Sequence, residues 1–225
     1  MPVSAVSLVL IAIIGYLWGS IASGYWMGKL LRGKDFDVRH YGSHKTGATN
    51  VRRTMGNGPA LVVLLIDLSK GIGPALIATL VPFFFNTGWG PTVAGLAALI
   101  GHCFPVFIGF RGGRGVSTGA GAILVISPFT FLLSLVATIG TIAISRFVSL
   151  GSIVGALTSI TCGIVFYFVG QANPAFFAHV SFAQMVFLVA GPALVILLHY
   201  DNIGRLLSGK ERKLGQKEAV ASSNS

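Results

Sequence analysis

The chain has 225 residues, 53% of them hydrophobic and only 10% charged, with a mean hydropathy of +0.80. These values exclude an ordinary soluble domain and define an integral membrane protein. The net charge of +10 does not imply a nucleic-acid partner, because most of the basic residues gather in polar stretches between apolar runs and in the tail.

The first run, Val3 to Leu31, lacks a basic leader and a small-residue cleavage site, so it reads as a retained anchor helix. The polar loop after it carries Arg32, Lys34, Arg39, Lys45, Arg52 and Arg53. Within it, "GSHKTGATNVRRTMG" combines Gly42, Gly47, Gly56 and Ala48 with Ser43, Thr46, Thr49 and Asn50. Glycine lets backbone N–H groups approach a ligand, the hydroxyls and amide add short donors, and arginine presents forked donors that match phosphate oxygens. Two readings stay open at this point, an anion cradle or a turn whose arginines only fix topology. Asp37 and His40 are expected in a solvated turn of the same loop.

The next apolar run, Pro59 to Phe85, contains Asp67 and Lys70 in "LLIDLSKGIGP". Charges are costly inside the bilayer, so these two are expected to pair with each other, in a structural or a substrate-supporting role, with His102 nearby. "NTGWGP" follows without Lys or Arg, and Pro91 to Gly109 leads to "RGGRG", where Arg111 and Arg114 flank two glycines. The helix after this loop starts near Val116 with Ser117 and Thr118 in its first turn, a place that suits an anion or a simple basic cap.

Three apolar blocks remain: Val116 to Ile144, Phe147 to Val169 and Phe182 to Leu198. The tail after them is basic, with Arg205, Lys210, Arg212, Lys213 and Lys217, whereas "GQANPAFFAHVS" between the last two blocks has no Lys or Arg. The positive-inside rule then requires an even number of crossings from "RGGRG" to the tail. Pro128 supplies the missing break, since proline ends a helix at or before the preceding residue. The piece Val116 to Ser127 spans only about 18 Å against a hydrocarbon core of about 30 Å, so it is tilted, recessed or re-entrant. The expected fold is all-α with seven transmembrane helices, N-terminus outside and C-terminus cytoplasmic. One polytopic domain covers residues 1–217, and 218–225 form a disordered end. Cys103 and Cys162 both fall in apolar runs and read as packing residues, with no metal-ligand spacing.

The last cluster, "LLHYDNIGRLLSGKER", places His199 and Asn202 three apart, hence on one helical face, with Arg205 continuing it. Histidine exchanges protons near neutral pH and asparagine orients a hydroxyl. A structural histidine is the alternative. Three Arg- and Gly-rich clusters on the cytoplasmic side thus describe an enzyme or a carrier for an anionic substrate at the membrane surface.

"GSHKTGATNVRR", "FRGGRGVSTGAG" and "HYDNIGRLLSGKE" resemble, in order and spacing, the three motifs of the bacterial membrane glycerol-3-phosphate acyltransferases that use acyl-phosphate, the PlsY family. "RFVSLGS" resembles a further family segment. The family commonly has Gly-Ser-Gly-Asn where this chain has Gly42, Ser43, His44 and Lys45, and often lysine at Arg111 and Arg114.

The resemblance implies transfer of a fatty acyl group from acyl-phosphate to the 1-hydroxyl of sn-glycerol 3-phosphate, giving lysophosphatidic acid and phosphate, without a cofactor. It implies a multi-pass protein of the bacterial inner membrane, its site facing the cytoplasm. His199, Asn202 and Ser43 would be catalytic. Ser43, Thr46, Gly47, Ala48, Thr49, Asn50, Arg53 and Arg114 would bind phosphate, supported by Arg111, Arg205, Asp67 and Lys70. Either His199 or a substrate phosphate oxygen would act as base. None of the five histidines has Asp five positions later, so the His-x-x-x-x-Asp chemistry of acyltransferases using acyl-CoA or acyl carrier protein is not expected. The alternative is a membrane transporter of a small phosphorylated anion, although no internal repeat supports it.

Overall fold

The computed structural model describes residues 5–85 and 88–216. The expected disordered end, 218–225, lies outside the described residues, as do Asn86 and Thr87 of the "NTGWGP" loop. Among the described residues every regular element is helical.

The elements are α1 (Ala5–Gly19), α2 (Ser23–Arg32), α3 (Ala48–Met55), α4 (Asn57–Leu80), α5 (Pro82–Phe85), α6 (Trp89–Cys103), α7 (Val116–Ile126), α8 (Pro128–Ser145), α9 (Val148–Ala172), α10 (Phe182–Leu197) and α11 (Tyr200–Leu207). Five helical stretches are long and apolar enough to cross a membrane, among them Ala5–Arg32, which joins α1 and α2, and Trp89–Ile108, which extends α6. A sixth follows if α10 and α11, bent by 58°, count as one.

The break between α7 and α8 falls at Pro128, the first residue of α8. Proline has no N–H with which to continue the ladder of α7, and beside the break the carbonyl of Ile126 accepts from Gln184 Nε2 at 2.8 Å. Gln184 also completes a capping box with Ser181 at the start of α10. One side chain thus caps one helix and closes another. α7 has 11 residues, a length of about 16 Å, and is shorter than the hydrocarbon core.

α4 and α6 form the centre, with α1 packed on α6, α7 on α4, and α8, α9 and α10 following in sequence. In lipid, close backbone approach replaces the hydrophobic effect as the driver of helix association. Gly71 of α4 shows this: a Cβ there would lie 1.9 Å from the carbonyl oxygen of Thr118 in α7. Cys103 and Cys162 are both free and buried within separate apolar clusters.

Candidate active site

The loop before α3 is organised by one amide. Asn50, 1% exposed, accepts from the N–H of Ser43 at 2.8 Å and donates to the carbonyls of Val38, Tyr41 and Lys45 at 3.0, 3.0 and 2.8 Å. Its amide is spent on the backbone of the loop, which it holds together at the edge of the cavity described below. Gly42 (φ 61°) is required there, because a Cβ would lie 2.1 Å from Asn50 Oδ1. His44 also has positive φ, 57°, with its Nδ1 2.9 Å from the Arg39 carbonyl.

In the nearby turn His40 is exposed, as expected, whereas Asp37 is largely covered. Asp37 is 14% exposed and paired with Arg39 at 2.7 Å. Burial raises its carboxyl pKa, but the hydrogen bonds and charge of Arg39 hold it below its ordinary value. The cap residue of α3 is Gly47, without a side-chain cap, so the N–H groups of Ala48 and Thr49 have no intrahelical acceptor at that end.

The second loop folds back onto the end of α6 through Gly112 N–H to the Cys103 carbonyl and Gly113 N–H to the His102 carbonyl, both 3.1 Å. This turn presents Arg114, whose Nε donates to the Leu198 carbonyl at 3.2 Å and whose guanidinium pairs with Asp201 Oδ2 at 2.7 Å. The second and third motifs are therefore fastened together. Arg111 is exposed and stands outside the cavity described below. Thr118 is fully buried, its hydroxyl donating to the Asp67 carbonyl at 2.9 Å.

In the third motif, His199 sits at the bend between α10 and α11, so His199, Asn202 and Arg205 are not on one continuous helix. His199 is 3% exposed and its Nδ1 lies 2.7 Å from the Val195 carbonyl. A carbonyl only accepts, so Nδ1 carries the proton and Nε2 keeps its lone pair in the neutral ring. Asn202 Nδ2 donates to Glu211 Oε1 at 2.8 Å, leaving Asn202 Oδ1 buried without a partner.

Glu211 also accepts from Ser149 at 2.8 Å and from Arg205 Nε at 2.8 Å. Burial raises its carboxyl pKa, yet the hydrogen bonds of Arg205, Asn202 and Ser149 and the charge of Arg205 bring it below 4.5. Ser149 and Glu211 were not singled out in the sequence. Each lies inside a quoted stretch, "RFVSLGS" and "HYDNIGRLLSGKE", which was the available signal.

The three motifs converge on one cavity of about 550 Å³. Ser43, Gly47, Ala48, Thr49 and Asn50 line it together with Arg53, Arg114, His199 and Asn202, and Lys45, Arg52 and Arg212 add positive charge. Leu61, Leu64, Val116, Ile142 and Val148 supply an apolar wall. Thr46 is buried and outside the lining, and Arg205 also stands outside it, bonded to Asp201 and to Glu211 of the lining.

Asp67 lines the cavity floor but Lys70 does not. The two form an ion pair, each 1% exposed. Ser23 of α2 donates to Asp67 at 2.5 Å, and His102 Nδ1 of α6 lies 3.6 Å from the same carboxylate. This cluster joins α2, α4 and α6 beneath the site.

Fold and cavity together define a polytopic membrane protein with a cavity lined by several cations beside apolar helix faces. The glycerol-3-phosphate acyltransferase family pattern matches residues 9–209. The chain is 40% identical over 219 residues to glycerol-3-phosphate acyltransferase 3 of Dehalococcoides mccartyi, covering 93% of this chain and 97% of that one. It is 42% identical over 216 residues to the glycerol-3-phosphate acyltransferase of Parasynechococcus marenigrum, covering 96% and 93%.

The crystal structure of PlsY (YgiH), an integral membrane glycerol 3-phosphate acyltransferase in its glycerol 3-phosphate form, superposes with a TM-score of 0.77 at 36% identity, over 93% of this chain and 96% of that one. Its lysophosphatidic acid form gives 0.75 at 35% identity over the same shares. This chain belongs to the glycerol-3-phosphate acyltransferase family.

Proposed function

We propose that this protein acylates the 1-hydroxyl of sn-glycerol 3-phosphate with a fatty acyl group taken from acyl-phosphate, releasing lysophosphatidic acid and phosphate for phospholipid synthesis. The observation that carries the reading is the meeting of three distant motifs around one cavity with phosphate-matching donors on one side and apolar helix faces on the other. Both substrates bear phosphate and one bears a long tail. Each tail methylene withdrawn from water contributes about 0.8 kcal/mol, which lets the helices hold the donor while the loops set its head.

In this reading Ser43 and the α3 N-terminus around Gly47 to Thr49 cradle one phosphate, within a loop held by Asn50, and Arg53 and Arg114 neutralise the other. His199 and Asn202 orient the glycerol, the open Oδ1 of Asn202 accepting from a hydroxyl. The 1-hydroxyl oxygen attacks the acyl carbonyl, the bond from acyl carbon to phosphate oxygen breaks, and phosphate leaves with the electron pair. Phosphate leaves readily, so no covalent acyl-enzyme is needed. The hydroxyl proton has two acceptors in the cavity, Nε2 of His199 and an oxygen of the departing phosphate. The pH–rate profile separates them, since only the first gives an acid limb that vanishes in His199→Gln.

For topology, α1 with α2, α4, α6, the short α7, α8, α9, and α10 with α11 make seven crossings with the N-terminus outside. The three basic regions and the active site then face the cytoplasm from the inner membrane, and residues 1–217 act as one unit. The distribution of Lys and Arg supports this arrangement.

The test supplies purified protein with labelled glycerol 3-phosphate and, in turn, acyl-phosphate, acyl-CoA or acyl carrier protein. Lysophosphatidic acid from acyl-phosphate alone is expected. Product from another donor overturns the donor assignment, and glycerol phosphate flux into proteoliposomes without product overturns the enzyme reading in favour of a carrier.

A further inference from the structure

Asp67, Lys70 and His102 are buried and take no part in the chemistry proposed above, yet they lie against the turn that presents Arg114. His102 is 6% exposed, and its ring stands between two walls. The Nδ1 edge faces Asp67 Oδ1 of α4 at 3.6 Å, and that carboxylate is fixed in turn by Ser23 of α2 and by Lys70. The opposite edge lies against the backbone of Gly113. A Cβ there would fall 2.1 Å from Nε2 and 3.0 Å from Cδ2 and Cε1.

This contact, and not backbone conformation, explains the missing side chain at Gly113. Gly109 and Gly115 have positive φ, 72° and 82°, whereas Gly113 does not, so its backbone would accept alanine without strain. What excludes the methyl is the ring. Packed between α4 and the turn, the ring cannot retreat as the free end of a flexible side chain would. The carbonyl of His102 holds the same glycine, accepting its N–H at 3.1 Å, so the turn is seated on both the backbone and the ring of one residue.

We infer that His102 is a positioning residue for Arg114, a spacer that carries the fixed place of the Asp67–Lys70 pair to the second motif and sets where the guanidinium stands in the cavity wall. The inference rests on the acyltransfer reading only for the task of Arg114, the neutralising of a phosphate. His102 itself lines the cavity, so the competing role is direct contact of its ring with a substrate. The two roles make different demands: a spacer needs volume, whereas a direct contact needs the imidazole nitrogen.

The test exchanges volume between the two partners and measures lysophosphatidic acid formation on the folded fraction from size exclusion. Gly113→Ala drives ring and turn apart, and because a misplacement of about 1 Å can cost about 100-fold, kcat/KM is expected to fall by about that factor. His102→Asn keeps a nitrogen toward Asp67 but lacks Nε2 and Cε1, leaving a gap under Gly113, and is expected to cost about tenfold. In His102→Asn/Gly113→Ala the methyl occupies the gap, and turnover is expected to return to within about threefold of wild type although no imidazole remains.

Hydrogen exchange over residues 104–116, read by mass spectrometry, follows the Gly112 and Gly113 bonds without turnover. Exchange is expected to quicken in each single variant and to return to the wild-type rate in the double. A double variant no more active than its parents overturns the inference, by assigning the imidazole to the substrate. Single variants with wild-type turnover and exchange overturn it as well. Should one single variant fail to fold, the other and the double carry the same comparison. Wild type that makes no lysophosphatidic acid, with exchange still quickened in the singles and restored in the double, overturns only the acyltransfer reading.

Discussion

His199 Nδ1 and the carbonyl oxygen of Val195 lie 2.7 Å apart, and this bond, made across the last turn of α10, holds the ring in the wall of the cavity. Because the ring is held by backbone, its removal subtracts chemistry without releasing a neighbouring side chain. His199→Ala is expected to lower kcat by about 100-fold or more while leaving the thermal midpoint in detergent near that of wild type. Lysophosphatidic acid formation and a melting curve on the same preparation measure both, and near-normal turnover removes His199 from the chemistry.

Asp67 and Lys70 are each 1% exposed and joined within one helix. Loss of one partner strands the other charge in the bundle, at a cost of about 3–5 kcal/mol. Asp67→Leu and Lys70→Met are each expected to lose folded yield and thermal midpoint, and the double variant to recover much of that loss. Size-exclusion profiles and melting curves of the three variants decide the matter. A double variant worse than either single would show that the pair contributes more than mutual neutralisation.

His44 holds φ at 57°, a region that costs a residue with a Cβ about 1–2 kcal/mol. Its ring bond to the Arg39 carbonyl offsets part of this. His44→Gly relieves the strain but loses that bond, whereas His44→Ala keeps the strain and loses it as well. Glycine is expected to exceed alanine in stability by about 1 kcal/mol, read by chemical denaturation. Equal stabilities would mean that the loop relaxes its backbone when the ring is removed.

Glu211 binds its proton less readily in the folded protein than its ordinary pKa of 4.5 implies. A lowered carboxyl pKa stabilises the folded state above the unfolded value, and that contribution is lost as pH falls through the folded one. The tail from Ser208 to Gln216 is therefore expected to become protease-sensitive as pH drops below about 4.5. Glu211→Gln should show that sensitivity already at neutral pH. Proteolysis followed by mass spectrometry across the pH range reads the transition.

Much of the architecture was legible because lipid imposes simple rules. Apolar runs marked the helices, and Pro128 marked the break between α7 and α8, where a missing N–H leaves a local trace in sequence. The polar residues of the site were also legible as types, but their partners were not. Asn50 looked like a phosphate donor, and only three-dimensional contacts show its amide spent on Val38, Tyr41 and Lys45.

Arg111 and Arg114 are equivalent by spacing, yet only Arg114 meets Asp201, 87 residues away. Ser149 and Glu211 were missed for the same reason. A lone serine near a helix start and a glutamate in a basic tail acquire meaning only through their contact, 62 residues apart in sequence.

The pairing of Leu214 with Arg146 also sets an order of events. The wall formed by His199 to Gln216 leaves the ribosome after every helix it touches, so each nascent intermediate is an inserted bundle without a finished pocket. The growing chain carries its basic loops throughout synthesis, yet acquires a complete cavity only once the tail docks. On the reading proposed above, a chain stalled before the tail docks is expected to stay inert in the membrane.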